Sequence, residues 1–335
     1  MSLPLLPTTA VGSYPKPDYL LEARRRFLRK QISKEELTAL ERRATAEWVK
    51  IQEDLDLDLL VDGEQYRGDM VAYFADEMDG FAIAGLVRSY GNRYYPKPVV
   101  VGAVGRRQPV TVEWFKYAQS LTKRPVKGML TGPYTIAEWS FNEYYPTRRA
   151  LVLELARAIH EEVLDLERAG ARYIQIDEPA IHTRPAEDFE TAVEAMAIVT
   201  AGVRAYTVSH ICYGDVPKVY PGILRLAVNQ LDMALKNEEF ALLETFKQPL
   251  FTKDIGLGVV DAHSHRIESV DEIADGIRKT LKVIPAQQVY VSPDCGLKTR
   301  AVDETVGKLK NMVEATKLVR SELASARGRP AGVAG

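Results

Sequence analysis

The sequence has only two cysteines in 335 residues, which excludes a disulfide framework as the source of its stability. Its formal net charge is −2, so it lacks the basic excess that binding to nucleic acid or to an anionic membrane requires. No apolar run reaches the length of about 18 residues that a membrane span needs. The amino terminus lacks the basic start and apolar core of a signal peptide. We therefore expect a cytoplasmic protein with no nucleic-acid or membrane partner.

The chain does contain a regular alternation of short apolar runs and longer amphipathic stretches. Eight runs predict strands, at residues 8–13, 57–63, 126–131, 173–177, 205–212, 226–233, 250–254 and 289–293. Seven stretches predict helices, at residues 17–30, 34–55, 109–121, 148–169, 189–203, 270–281 and 302–323. Eight strands that alternate with helices predict a single (β/α)8 barrel of the α/β class. The alternative is a doubly wound open sheet, but no Gly-x-Gly-x-x-Gly motif follows an early strand.

One segment interrupts the alternation, and the end of the chain departs from it. Residues 78–105 carry Tyr90, Tyr94 and Tyr95 and predict an insertion that forms a hairpin or lid over the barrel mouth. Residues 324–335 are small, basic or rich in Gly and Pro, which predicts a disordered tail. We therefore expect one catalytic barrel over residues 1–323, followed by this tail.

Both cysteines lie at the polar ends of predicted strands, where the catalytic groups of a barrel are found. His210 and Cys212 are two residues apart and therefore project to the same side of an extended strand. Cys295, from a distant strand, would complete a set of three soft ligands, which suits zinc with one position left for a substrate. Asp232, Glu238, Glu239 or water could provide a fourth ligand, and the spacing does not choose among them. Further polar residues follow other strands, at positions 12–13, 62–64, 131–132, 177–178 and 254.

A second cluster, His263 and His265, suggests the metal site of an amidohydrolase instead. That superfamily usually places such a pair on the first strand and adds further histidines. Only five histidines are present in this chain, so that ligand inventory would be strained.

Nine motifs in order resemble the C-terminal catalytic barrel of the cobalamin-independent methionine synthase family. They are TTAVGSYP (8–15), GEQYRGDM (63–70), SYGNR (89–93), KGMLTGP (127–133), WSF (139–141), IQIDEPA (174–180), HICY (210–213), DAHS (261–264) and SPDCGLKTR (292–300). The resemblance implies a (β/α)8 barrel that binds Zn2+ and methylates the thiol of L-homocysteine, its partner molecule, to form methionine.

The resemblance also assigns roles to individual residues. It implies zinc ligation by His210, Cys212 and Cys295. It implies that Glu64 and Asp177 hold the amino group of homocysteine and that the segment Val11, Gly12 and Ser13 receives its carboxylate. Trp139 matches an aromatic residue at the pterin site, and His263 matches the acid that protonates the departing pterin.

Two departures from the family pattern affect what we expect. The family places a fourth zinc ligand, a Glu, where this chain has Ala234, so either a nearby group or water fills that position or the substitution is engineered. The family's usual N-terminal barrel, which helps to bind the polyglutamate tail of methylfolate, has no counterpart in this sequence. We therefore expect methylcobalamin, or a methylated corrinoid protein as partner, to donate the methyl group.

Several alternatives remain open. The donor could be 5-methyltetrahydrofolate, or the acceptor could be another thiol such as coenzyme M. The related uroporphyrinogen decarboxylase type needs no zinc, and a protein that has lost activity could serve only as a zinc-binding or corrinoid partner.

Overall fold

The computed structural model describes residues 3–89, 93–184 and 188–327. Its helices are α1 (Asp18–Leu28), α2 (Lys34–Asp54), α3 (Met70–Glu77), α4 (Val112–Ser120), α5 (Pro133–Glu138), α6 (Arg148–Arg168), α7 (Phe189–Val199), α8 (Val216–Val219), α9 (Leu242–Thr245), α10 (Val270–Leu281) and α11 (Val302–Arg327). Its strands are β1 (Met78–Ser89), β2 (Arg93–Arg106), β3 (Lys127–Thr131), β4 (Phe141–Asn142), β5 (Tyr173–Asp177), β6 (Tyr206–Ile211), β7 (Gln230–Met233), β8 (Asp254–Gly258) and β9 (Val289–Ser292). Short 3-10 helices cover Gly222–Arg225, Lys236–Glu238 and Ala286–Gln288. Within these described ranges, no helix is long and apolar enough to cross a membrane.

Six parallel strands form the continuous part of the barrel, in the order β3–β5–β6–β7–β8–β9. Two extended segments complete the ring through single parallel bridges, one between Thr8 and Val291 and the other between Leu60 and Val126. The two segments join each other where Leu59 N donates to Thr8 O at 3.0 Å. The predicted (β/α)8 barrel is therefore confirmed, although its first two strands pair at single positions.

Two of the predicted helices begin at capping boxes that the sequence contains. Ser33 accepts from the backbone N–H of Glu36, whose side chain in turn accepts from the N–H of Ser33. Ser269 and Glu272 repeat this arrangement at the start of α10. Each box satisfies two backbone N–H groups that would otherwise lack a helical partner, which explains why both helices begin where predicted.

The strand predicted at residues 250–254 is wrong, because β8 begins only at Asp254 and extends to Gly258. The apolar pair Leu250 and Phe251 suggested a strand, yet Leu250 is exposed. The true strand carries Gly256 and Gly258, which normally weaken a strand prediction. Both glycines are needed here, because a Cβ would lie 2.1 Å from Asp232 Oδ2 at Gly256 and 2.2 Å from Asp294 Oδ1 at Gly258.

Residues 78–105 form most of an antiparallel hairpin, since β1 pairs with β2 from Met78 opposite Arg106 to Ser89 opposite Arg93. β2 also pairs with the short strand β4, which gives a second, three-stranded sheet. Tyr90 and part of the SYGNR motif lie outside the described residues. At the other end of the chain, α11 extends to Arg327, four residues into the predicted tail, and residues 328–335 lie outside the described part.

Candidate metal and substrate site

The two thiols and one imidazole predicted as metal ligands converge at the carboxyl end of the barrel. The ligand atoms of His210, Cys212 and Cys295 all lie within 4.8 Å of one another. The two sulfur atoms are 3.1 Å apart, and both cysteines are free. His210 is 3% exposed, whereas the cysteines are partly exposed. A buried imidazole behind two more accessible thiols leaves one side of the cluster open to a ligand.

The loops that carry these ligands are fixed by Asp294, which immediately precedes Cys295. Its buried carboxylate accepts from three consecutive backbone N–H groups, those of Leu235, Lys236 and Asn237, at 3.0, 2.9 and 2.8 Å. These bonds attach the loop after β9 to the loop after β7. Cys295 is thus held against a rigid part of the barrel, although it lies beyond the end of its strand.

His210 is oriented from inside the barrel by Asp232, its neighbour across β6 and β7. His210 Nδ1 and Asp232 Oδ1 are 2.8 Å apart, and Ser292 Oγ donates to Asp232 Oδ2 at 3.0 Å. A carboxylate beside Nδ1 favours the tautomer with its proton on Nδ1. The buried Nε2 has no oxygen or nitrogen partner among the described groups and faces the Cys295 thiol, so with the proton on Nδ1 its lone pair can bind a metal that this sulfur also holds.

The two sulfur atoms are electrostatically suited to bind a cation. The Cys295 thiol, which faces the Cys212 sulfur, holds the pKa of Cys212 below its usual value. One thiolate is therefore favoured when its neighbour carries a proton. Thiolate and imidazole are the ligands that zinc takes in proteins, and a donor set of three leaves one tetrahedral position for a further ligand. The residues present thus fit a zinc ion with an open coordination position.

None of the side chains predicted as a fourth ligand belongs to the cluster of ligand atoms in the described part of the chain. Among the described residues, the group of ligand atoms within 4.8 Å comprises only His210 and the two cysteines. Asp232 contacts the imidazole, and Glu239 pairs with Lys236 at 2.6 Å. Glu238 and Ala234 line a small cavity beside Cys212. None of the three carboxylates predicted as possible ligands occupies that role in this structure.

The predicted carboxylate-binding segment lies between two other elements of the site. Gly12 is covered by Glu64, because a Cβ on Gly12 would lie 2.7 Å from Glu64 Oε1. Ser13 packs against the loop that follows Cys295, since a Cβ on Gly296 would lie 2.1 Å from Ser13 Oγ, and Leu297 N donates to Ser13 O at 2.8 Å. These close approaches bring the segment from Val11 to Ser13 between Glu64 and the thiol cluster.

Asp177 is joined to the same segment through Gln175. The Gln175 amide donates to both Asp177 Oδ1 and Val11 O at 2.7 Å. Burial, the largest influence, and the charge of Glu64 together raise the pKa of Asp177 to about 7, although the charge of His210 opposes them. Two neighbouring carboxylates in a buried site favour a bound cation, because a positive charge between them stabilises both ionised forms.

His263 and Trp139 occupy loops around this centre. The His263 ring lies 4.3 Å from the ring of Tyr213, the residue after Cys212, and its backbone N–H donates to Asp261 Oδ1 at 2.7 Å. Partial burial and the positive charge of Arg300 lower the pKa of His263, against the influence of Asp261. Trp139 follows the last turn of α5 and is 37% exposed. His265, by contrast, is exposed and bonds to Glu304, and it belongs to no metal-ligand group in the described ranges.

Two buried cations near the site received no role from the sequence. Arg67 donates to the Met129 carbonyl and lies 3.5 Å from Glu64 Oε1. Lys127 extends inside the barrel, where its Nζ donates to Gln175 Oε1 at 2.5 Å. Both lie within motifs of the family resemblance, but hydrophobic periodicity gives no indication that such charged side chains are buried.

Fold and site together define the class of the protein: an enzyme built on a (β/α)8 barrel, with a thiolate and imidazole centre at its carboxyl rim. The family model described as the catalytic domain of cobalamin-independent synthase matches residues 6–318. The chain belongs to this family and is a methyltransferase.

The chain is similar to curated proteins of two different lengths. It is 44% identical over 322 residues to a methionine synthase of Saccharolobus solfataricus, covering 96% of this chain and 97% of the relative. It is 40% identical over 333 residues to a 5-methyltetrahydropteroyltriglutamate–homocysteine methyltransferase of Buchnera aphidicola, covering 96% of this chain but only 44% of that protein. Among solved structures, a B12-independent methionine synthase from Shewanella in complex with selenomethionine superposes with a TM-score of 0.87 at 27% identity, covering 96% of this chain and all of that one.

These relatives correct the expected methyl donor. The prediction of methylcobalamin, or of a methylated corrinoid protein as partner, is wrong, because the matching family is cobalamin-independent. The relative from Buchnera is named for a methyltetrahydropteroyl compound instead. The prediction gave too little weight to Trp139 and His263, which the family resemblance connects with a pterin and which are both present.

Proposed function

We propose that this enzyme transfers a methyl group from a 5-methyltetrahydropteroyl donor to the thiol of L-homocysteine, forming methionine, at a zinc site of His210, Cys212 and Cys295. The observation that carries the proposal is the convergence of these three ligand atoms within 4.8 Å of one another. The names of the relatives support both the acceptor and the donor. A cytoplasmic location is part of the same proposal.

Zinc at this position would lower the pKa of a coordinated homocysteine thiol, so that the thiolate is present at neutral pH. The protein's own contribution is to orient the amino acid. Glu64 and Asp177 would hold the ammonium group, and the backbone of Gly12 and the hydroxyl of Ser13 would receive the carboxylate. With both ends of the amino acid fixed, its sulfur is directed at the methyl group, which is catalysis by orientation.

The departing pterin nitrogen requires a proton at the moment of methyl transfer, when the thiol has already lost its own proton and reacts as a thiolate. A pterin nitrogen departs more readily when it is protonated, so the donor requires a general acid. His263 would hold this proton in a loop whose neighbour Tyr213 adjoins the thiol cluster. Trp139, just after the end of α5, would stack against the pterin ring.

The test is methionine formation by the zinc-loaded protein from homocysteine and 5-methyltetrahydropteroyltriglutamate. We expect turnover that is lost in Cys212→Ser and retained in His265→Asn, since His265 lies on the surface and bonds to Glu304. Glu64→Gln should raise the KM for homocysteine by about 10- to 100-fold, because it removes one charged partner of the ammonium group. Stoichiometric zinc without methionine formation would overturn the proposed reaction.

A further inference from the structure

The feature that the proposed reaction does not account for is Asp232, a fully buried carboxylate in the barrel interior. Both of its oxygens are engaged, Oδ1 by His210 Nδ1 at 2.8 Å and Oδ2 by Ser292 Oγ at 3.0 Å. An ionised carboxylate is costly to bury, so its retention at this position calls for a partner that benefits from its charge. The imidazole that faces the two thiols bonds to this carboxylate directly, and the buried ammonium of Lys127 also lies within range of its charge.

The barrel is built to make room for this carboxylate. Gly256 on β8 is the register neighbour of Asp232, and a Cβ there would lie 2.1 Å from Asp232 Oδ2. Any larger residue at position 256 would push the carboxylate away from His210. The close approach of strand and side chain thus depends on a glycine in the middle of a strand, where glycine is otherwise unfavourable.

Two residues further along the chain, Ala234 stands where the family resemblance implies a Glu that binds the metal. Asp232 lies on β7, and Ala234 follows directly after the end of that strand. At position 234 the methyl group lines a small cavity next to Cys212 and cannot bind a metal. The nearest carboxylate on this strand therefore acts on the cluster through His210.

We propose that Asp232 is a positioning residue of the metal site, which fixes His210 with its proton on Nδ1 and supplies through the imidazole the negative charge that Ala234 cannot supply directly. A carboxylate behind a metal-bound imidazole orients the ring and makes its other nitrogen a stronger ligand. The inference rests on the proposed zinc site.

The first test compares zinc affinities by competition with a chromophoric chelator. Asp232→Asn keeps the shape and an acceptor oxygen for the Nδ1 proton but removes the charge, and we expect zinc to bind about 10- to 100-fold more weakly. Asp254→Asn is the matched control, because Asp254 lies on the neighbouring strand at the opposite end of the barrel and bonds to Tyr206. Its zinc affinity should equal that of the parent. The spectrum of the cobalt-substituted protein should change only in Asp232→Asn.

A second test asks whether a carboxylate at position 234 can replace the one at position 232. Ala234→Glu should increase zinc affinity by a larger factor in the Asp232→Asn variant than in the parent. The reason is that either carboxylate alone would supply the negative charge that the metal site needs. If Ala234→Glu changes zinc affinity by the same factor in both proteins, the charge of Asp232 does not replace that of a carboxylate at position 234.

The outcomes also separate this inference from the proposed function. If the parent protein does not bind zinc, the proposed metal site fails. If the parent binds zinc and Asp232→Asn binds it as tightly as Asp254→Asn does, the metal site stands and the positioning role of Asp232 is refuted.

Discussion

The two ends of the barrel interior are both polar, yet they differ in how their polar groups are paired. At the amino end, Tyr206 donates to Asp254, and its ring packs 5.5 and 5.6 Å from the rings of Tyr173 and Tyr290. At the carboxyl end, the two thiols lie 3.1 Å apart beside the imidazole of His210, and no carboxylate of the described residues completes this group of ligand atoms. The same strands thus close one end and leave the other able to accept a ligand.

At the surface of the amino end, the carboxylate of Asp58 is also paired within the protein. Its Oδ2 accepts from Thr8 N at 2.9 Å and Thr8 Oγ1 at 2.8 Å, and it also pairs with Arg320 of α11. This carboxylate fastens the first barrel segment to the last helix. Carboxylates whose oxygens are already hydrogen-bonded within the protein stabilise the fold. The incompletely paired groups at the opposite end remain able to bind a substrate or a metal.

The largest effect that would test this distinction is expected from Cys295→Ser. Removing one thiolate from a three-ligand site should abolish zinc retention and lower kcat/KM on the order of a thousandfold or more. The urea midpoint of the metal-free protein should change little, because Cys295 is partly exposed and makes no structural disulfide. Unchanged zinc content in the variant, measured by elemental analysis, would show that the metal binds elsewhere.

A smaller loss is expected from His263→Asn, on the order of a hundredfold in methyl transfer, with zinc affinity unchanged. Burial lowers the pKa of His263 below its usual value, so the protonated form is lost as the pH rises through a value under 6.5. The parent's kcat/KM for the donor should therefore increase toward low pH. In the variant, kcat/KM should not increase toward low pH. A parent whose kcat/KM is constant between pH 5 and 8 would argue against His263 as the acid.

The sequence predicted which residues gather at the carboxyl end of the barrel better than it predicted the contacts that position them. His210 and Cys212 could be predicted as a pair of ligands because their spacing fits one side of a strand. Cys295 could be added to them because it also lies at the end of a predicted strand. The role of Asp232 could not be predicted, because it depends on strand register and on the empty space at Gly256. The β8 strand was misplaced for the same reason: its glycines serve neighbours that are distant in sequence.

At the amino end, Asp58→Ala should affect stability and leave catalysis unchanged. The substitution leaves Thr8 N–H and the Arg320 guanidinium without their shared acceptor, which should lower the free energy of unfolding by about 2 kcal/mol. Zinc affinity and the KM for homocysteine should equal those of the parent when measured well below the unfolding transition. A changed KM at full folding would mean that the two ends are coupled through the first barrel segment.

The smallest effect is expected from Tyr206→Phe, and its pH dependence sharpens the contrast between the two ends. Partial burial raises the pKa of Asp254, although the bond from Tyr206 opposes that shift. Between the unfolded pKa and the higher folded pKa the folded state holds more protons, so the contribution of Asp254 to stability falls as the pH rises through this interval. Because Tyr206 donates to the ionised carboxylate, its removal should deepen this fall. Chemical unfolding should show a loss of about 1 kcal/mol above the folded pKa and a smaller loss at lower pH, where Asp254 is protonated in both states. A loss that is equal at all pH values would mean that the Tyr206 ring, and not its hydroxyl, stabilises this end of the barrel.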